Sequence, residues 1–380
     1  MKKIQILLLT IITILLPLRG GFADENLKVA VMTHLTGDFS AWGQAYIEGI
    51  MLGQERINSS GGIQGKRVTL VIEDTRFDSA LTASASQKLL NIDHVQIAMV
   101  STFTEALVAG PLFEKAKVPL LVFGDSGGKI ETIGKFVFST GTWVDGYALS
   151  ASKFLVEQKN MKKVAIIATN NAWSQSTADE FGKDFEQHGG SIVYRADQNP
   201  TDTDFRTILE RVRAAKADAV FAPITAGVIP FFEQARRINL QIPLILAGGA
   251  LDSDVIAAAP AAVEGRYVTN AFLDKSRPQA AEFLSHYQQK YGREPMYPSV
   301  SARGFDGFKA VATALRNAKG LSGEDIQRAL LTVDFQGAGF HLKLDQSRTA
   351  KLPVKVLQVK DGHLVVVGDA YRVIKNPSKR

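Results

Sequence analysis

The chain has 380 residues, 46% of them hydrophobic, a formal net charge of +6 and no cysteine. That length exceeds the size at which one hydrophobic core usually divides, so two domains are predicted. The absence of cysteine excludes thiol nucleophiles, thiolate metal sites and disulfides, and the modest charge is weak support for a nucleic-acid or membrane-surface partner.

The first 23 residues differ from the rest. Lys2 and Lys3 precede an apolar run over 4–17, and Gly21-Phe22-Ala23 places small residues around a cleavage point. This predicts a secretory signal peptide over 1–23, with the mature chain starting near Asp24 in the periplasm. Without Lys2, Lys3 and Arg19 the net charge falls from +6 to about +3, so part of the basicity belongs to the export signal.

A strand is predicted over 27–33, leading into the polar loop from Thr36 to Gly43. That loop opens a helix, whose first amides are free for a ligand. The helix shows an apolar face at Tyr46, Ile47, Ile50, Gly53 and Ile57, and Gly61-Gly62 stops it, since glycine alone takes positive φ without strain. A β-branched run at 68–72 reads as a strand covered on both faces, and Asp78 as the cap of a helix over 79–91. Strands at 97–100 and 119–123 flank a helix near 104–115. The pattern restarts near Thr142, with helices at 147–158, 174–188, 202–214 and 228–238 and strands at 164–168, 191–194, 219–222 and 243–247. Helices at 279–291 and 301–318 follow, and 354–367 reads as a hairpin turning on Asp361-Gly362. Two comparable βα sets in order mean two α/β domains, each with a mostly parallel sheet flanked by helices.

Few motifs carry chemistry. Gly124-Asp125-Ser126-Gly127-Gly128 matches G-x-S-x-G, but the segment after it is too broken for an elbow helix, so a serine hydrolase using Ser126 is a remote alternative. Gly61 to Lys66 and Gly124 to Lys129 are one residue short of a P-loop and lack its hydroxyl, so no ATPase site is predicted. The six histidines are scattered, which predicts no metal site. No cofactor motif is present, and no catalytic residue is assigned. Trp42 and Trp173 occupy equivalent loops in the two domains, after a first strand and before a helix. They read either as core residues or as two rings facing a common cleft, and Trp143 sits at the restart.

The run Ile57-Asn58, Gly61-Gly62-Ile63-Gln64-Gly65-Lys66 and Asp74 resembles the leucine/isoleucine/valine-binding family of type I periplasmic solute-binding proteins. Asp204-Phe205, Asp218-Ala219-Val220-Phe221, Gln234-Ala235-Arg236, Gly248-Gly249 and Phe305-Asp306 continue the likeness in order. The resemblance implies a non-enzymatic, monomeric receptor of an ABC importer, closing two lobes around a small solute and presenting it to permease and ATPase subunits. It implies no nucleic-acid partner. A ligand-sensing module for a membrane receptor is the alternative. It places 24–142 with 272–346 in lobe I and 143–271 with 347–380 in lobe II, joined by three crossings near Thr142, Ala271 and Gln346. It carries ligand contacts onto Trp42, Ser101, Thr102, Thr104, Asp125, Ser126, Trp173 and Thr225. Amino-acid binders of the family hold the ligand's ammonium with an acid where this chain has Gly248-Gly249-Ala250, leaving Asp252 or Asp125 as substitutes. The solute is thus a branched-chain amino acid, an amide or an aromatic acid.

Overall fold

The computed structural model describes residues 26–368 apart from 38, 127–129 and 351. Residues 1–25, with the signal peptide predicted over 1–23, and residues 369–380 lie outside the described residues. The first half of the chain runs β1 (Leu27–Thr33), α1 (Ser40–Ser59), β2 (Val68–Asp74), α2 (Ser79–Asn91), β3 (Ile97–Val100), α3 (Phe103–Ala116), β4 (Leu120–Val122), β5 (Asp125–Ser126), α4 (Ile130–Ile133), β6 (Val137–Ser139) and β7 (Thr142–Trp143). Then come α5 (Val144–Lys153), continued by one π turn, β8 (Lys163–Thr169), α6 (Ala172–Gln187), β9 (Ser191–Gln198), α7 (Arg206–Ala214), β10 (Ala219–Ala222), α8 (Val228–Arg237), β11 (Leu244–Ala247), α9 (Ser253–Ala258), α10 (Pro260–Val263) and β12 (Tyr267–Asn270). The chain ends with α11 (Pro278–Tyr291), α12 (Pro298–Asn317), α13 (Gly323–Leu330), β13 (Asp334–Gln336), β14 (His341–Lys343), β15 (Lys355–Lys360) and β16 (His363–Gly368).

Two sheets dominate. The first has the order β2-β1-β3-β4-β6, all parallel, and the second the order β16-β15-β12-β11-β10-β8-β9, in which β15 runs antiparallel to both β12 and β16. Alternate side chains of β1 feed different cores: Val29 and Val31 face one, Ala30 and Met32 the other. Strand β8 does the same with Ala165 and Ile167 against Ile166 and Ala168. Burial on both faces explains why these strands read as continuous apolar runs. In each sheet the strand order reverses beside the first strand, which leaves a crevice at the carboxyl ends.

The turn after α1 forms as its glycines require, with Gly61 and Gly62 at φ +93° and +78°. Asp78 caps α2 by accepting from the Leu81 amide at 2.8 Å. Helix α12 crosses α1 backbone to backbone. A Cβ on Gly49 would lie 2.0 Å from the Ser301 carbonyl oxygen, and one on Gly304 would lie 2.3 Å from that of Tyr46. This close approach brings Arg303 beside the crevice. The elements β5, α4, β6, β7, α9, α10, β12, α13, β13 and β14 are additions to those predicted from sequence, and α7 starts at Arg206 rather than 202.

Candidate functional site

The loops at the carboxyl ends of both sheets line one cavity of about 210 Å³. That is below the roughly 300–1,000 Å³ of sites for drug-sized ligands, so the occupant is a small solute. From the first sheet come His34 after β1, Trp42 and Tyr46 in α1, Phe77 after β2, Thr102, Phe103 and Thr104 at the start of α3, and Asp125. From the second come Asn171 and Trp173 at α6, Thr225 after β10, Gly249 after β11 and Asp254 at α9, while Tyr297 precedes α12. The walls combine aromatic rings with aliphatic side chains such as Ile224, Val228 and Val255. Among the described lining residues there is no lysine or arginine, and the only carboxylates are Asp125 and Asp254.

Helices α1, α3, α6 and α9 all begin at this cavity. The amides of Phe103 and Thr104 occupy the first positions of α3, where no intrahelical acceptor exists. Such a terminus favours an anionic group. The N-cap itself is closed: the Thr102 hydroxyl accepts from the Glu105 amide at 3.2 Å, and Glu105 Oε2 accepts from the Thr102 amide at 3.1 Å.

The residues expected to contact ligand divide. Trp42, Thr102, Thr104, Asp125, Trp173 and Thr225 line the cavity together. Ser101 does not; its hydroxyl turns inward and donates to the buried Glu105 at 2.8 Å. The Ser126 side chain lies outside the described residues.

Asp125 lines the cavity, but its charge is already matched. Its Oδ1 lies 2.8 Å from Arg303 Nη1 and accepts from the Tyr147 hydroxyl at 2.8 Å. The Arg303 side chain is only 4% exposed and also donates to the Gly124 carbonyl and the Thr142 hydroxyl, each at 3.2 Å. A carboxylate engaged in this way is not free to neutralise an ammonium.

Asp252 lies behind the wall, where its Oδ1 caps α9 by accepting from the Ser253 amide at 3.1 Å. Its Oδ2 is buried without a partner. Burial, helped by the nearby Asp254 charge, pushes its carboxyl up to about 7. An acid whose folded value lies above its unfolded value near 4 favours the folded state at low pH, and that contribution is lost as pH rises from about 4 to 7. Asp252→Asn keeps the cap and removes the buried charge. It is expected to raise stability at pH 8 by about 1 kcal/mol and to change little at pH 4, read from urea midpoints at the two pH values. An equal shift at both would refute the burial argument.

Gly248 and Gly249 occupy the place where an acid was sought, and the two indoles lie against them. A Cβ on Gly249 would sit 2.7 Å from Trp42 Cζ2, and one on Gly248, at φ +69°, would sit 3.1 Å from Trp173 Cζ2. Trp42 meets Tyr297 edge-on at 6.5 Å, and Trp173 meets Tyr147 at 5.9 Å. No carboxylate side chain fits at 249 while Trp42 stands where it does.

Residues 26–363 match the periplasmic binding protein family. The chain belongs to that family. A Leu/Ile/Val-binding protein homologue from Brucella suis is 23% identical over 372 residues, covering 91% of this chain and 92% of that protein. A leucine-binding protein from Thermotoga maritima superposes with a TM-score of 0.82 at 24% identity, over 90% of this chain and 98% of that one. A solute-binding protein of an ABC transporter from Rhodopseudomonas palustris HaA2, in complex with p-hydroxybenzoic acid, superposes with a TM-score of 0.83 at 20% identity, over 92% and 97%. The fold of this periplasmic binding protein is thus the expected type I architecture. The family binds solutes and does not transform them, so the hydrolase alternative resting on Ser126 falls.

Sequence reasoning missed His34, Tyr46, Phe77, Asp254 and Tyr297 as lining residues. Only His34 and Asp254 carried a signal, as polar residues next to a strand end and a helix start.

Proposed function

We propose that this protein is the extracytoplasmic receptor of an ABC importer, capturing a small aromatic carboxylic acid between its lobes by hinge closure. The observation that carries the reading is the pair of indoles packed over Gly248 and Gly249, in a cavity whose lining carboxylates are Asp125, already paired with Arg303, and the solvent-exposed Asp254. A buried ammonium without its own carboxylate would be costly, whereas a planar ring suits two indole faces. The free amides of α3 and the Thr104 hydroxyl offer the acid group its donors. The p-hydroxybenzoic acid complex of the Rhodopseudomonas protein makes this solute class a natural probe.

In this reading 24–142 with 272–346 form lobe I and 143–271 with 347–380 form lobe II. The membership of β1–β4 and β6 in one sheet and of β8–β12, β15 and β16 in the other supports that division. The mature protein, freed of residues 1–23, acts as a periplasmic monomer and hands its solute to permease and ATPase subunits.

The test is calorimetry on mature protein that has been unfolded and refolded to remove carried-over solute. Benzoate and 4-hydroxybenzoate are compared with leucine and isoleucine. At 100 times its dissociation constant a ligand adds about 2.7 kcal/mol of stability, so a thermal melt reports the same result independently. Binding of an aryl acid with no response to either amino acid is the expected outcome. The reverse pattern would sink the aromatic reading.

A further inference from the structure

His34 follows β1, the strand that leads into the cavity, and only 2% of it is exposed. Its ring is held edge-on by Phe39, Tyr46 and Phe77 at centroid distances of 6.3, 6.4 and 5.8 Å. The imidazole therefore has one orientation. Its Nδ1 lies 3.4 Å from the Ser101 hydroxyl oxygen. Its Nε2 is buried, has no hydrogen-bond partner in the protein, and belongs to a residue lining the cavity.

The neighbours fix which nitrogen carries the proton. Ser101 has one hydroxyl hydrogen and donates it to Glu105 Oε2 at 2.8 Å. Glu105 also receives the hydroxyls of Thr75 and Thr102 and the Thr102 amide, and with Ser101 these donors favour its carboxylate form against the burial that raises its pKa. Ser101 consequently turns a lone pair toward His34, and Nδ1 must be the protonated nitrogen. Burial holds the ring neutral, pulling its pKa down to about 4. A neutral imidazole has only one N–H. Nε2 is then a bare lone pair, and a buried acceptor without a donor is unfavourable until something supplies one.

We infer that His34 is a specificity-determining residue of the cleft, its Nε2 accepting a hydrogen bond from a hydroxyl group of the bound solute. The inference rests on the aryl-acid reading of the cavity and names the substituent: a hydroxylated ring is preferred to a bare one. Trp173 offers the complementary group from the other lobe, a buried Nε1–H that also lacks a protein partner and can donate to a solute oxygen. Sites built to hydrogen-bond a hydroxyl reject the analogue without it far more strongly than apolar pockets reject a missing methylene.

Two measurements decide this. Calorimetry of wild type, His34→Phe and His34→Gln uses benzoate against its 2-, 3- and 4-hydroxy derivatives. Wild type is expected to bind at least one hydroxybenzoate ten or more times tighter than benzoate. His34→Phe should lose that ratio, and His34→Gln, whose carbonyl can accept, should keep part of it. Equal affinities in wild type, or a ratio retained in His34→Phe, would overturn the inference. The second measurement is the nitrogen spectrum of histidine-labelled mature protein free of solute, with His34 assigned from the Gln variant. A bare Nε2 and a protonated Nδ1 support the inference, and a protonated Nε2 overturns it. If no aryl acid binds, the solute class fails on calorimetry, while the spectrum still decides the role of His34.

Discussion

Arg303→Ala is expected to destabilise the protein by about 1.5–3 kcal/mol, because it leaves the half-buried Asp125 carboxylate without its cation. Arg303 stands on α12 and holds the Asp125 carboxylate, the Gly124 carbonyl and the Thr142 hydroxyl together, with the Tyr46 ring beneath the guanidinium at 5.5 Å. These partners come from β5 with the residue before it and from β7, where the chain passes toward the second sheet. Urea unfolding of Arg303→Ala, Asp125→Asn and the double variant Arg303→Met with Asp125→Asn gives the check. Each single change leaves one buried charge alone, and the double change removes both, so the double variant should recover much of the loss. A loss below about 1 kcal/mol for Arg303→Ala would mean that the pair is solvent-screened after all.

Gly249→Ala is expected to weaken solute affinity by roughly 5- to 150-fold while leaving the unfolding of the free protein nearly unchanged. The added methyl would lie 2.7 Å from Trp42 Cζ2 and 3.0 Å from Cη2, closer than real Cβ atoms come. Overpacking of this kind costs about 1–3 kcal/mol, which converts to that range of affinity. Trp42 packs against the core of the first sheet, whereas Gly249 follows β11 of the second, so the clash arises only when the two are brought together. Melting curves without solute and titrations with 4-hydroxybenzoate separate the two effects. A fall in the melting temperature of the free protein equal to the lost binding energy would place the damage within one lobe instead.

Much of this architecture was legible in the chain. The apolar, β-branched runs at β1, β2 and β8 and the Asp361-Gly362 turn announce themselves because each is local. Strand β12 was missed because it is four residues long, and its Thr269 and Asn270 are buried polar residues that break an apolar run. Helix α13 left a signal that was overlooked, with Ser322 capping Asp325 ahead of the apolar pair Ala329 and Leu330.

At the site, the matching positions of Trp42 and Trp173 were readable as a pair. The partnership of Arg303 with Asp125 was not, since the two are joined only by the crossing of α12 over α1. Asp252 was weighed as an ammonium acceptor, yet Asp-Ser-Asp before an apolar stretch is also a helix start, and the structure uses it there. The tautomer of His34 depends on Glu105 through Ser101, a chain of contacts that no spacing in sequence reveals.

The hairpin β15–β16 bears on the timing of assembly. Strand β15 pairs with β12 in antiparallel register, Tyr267 opposite Gln358 and Asn270 opposite Lys355. Between them the chain departs to build α11, α12 and α13 on the other side of the molecule. The second sheet therefore cannot be completed until nearly the whole polypeptide is available, and pairings this distant in sequence slow folding. A nascent chain cut before residue 355 leaves the β12 edge open, with its backbone groups ready to pair with another chain. A final strand that arrives last keeps the sheet open until the chain is nearly complete. It also means that loss of the carboxyl-terminal hairpin should produce aggregation rather than a smaller, working receptor.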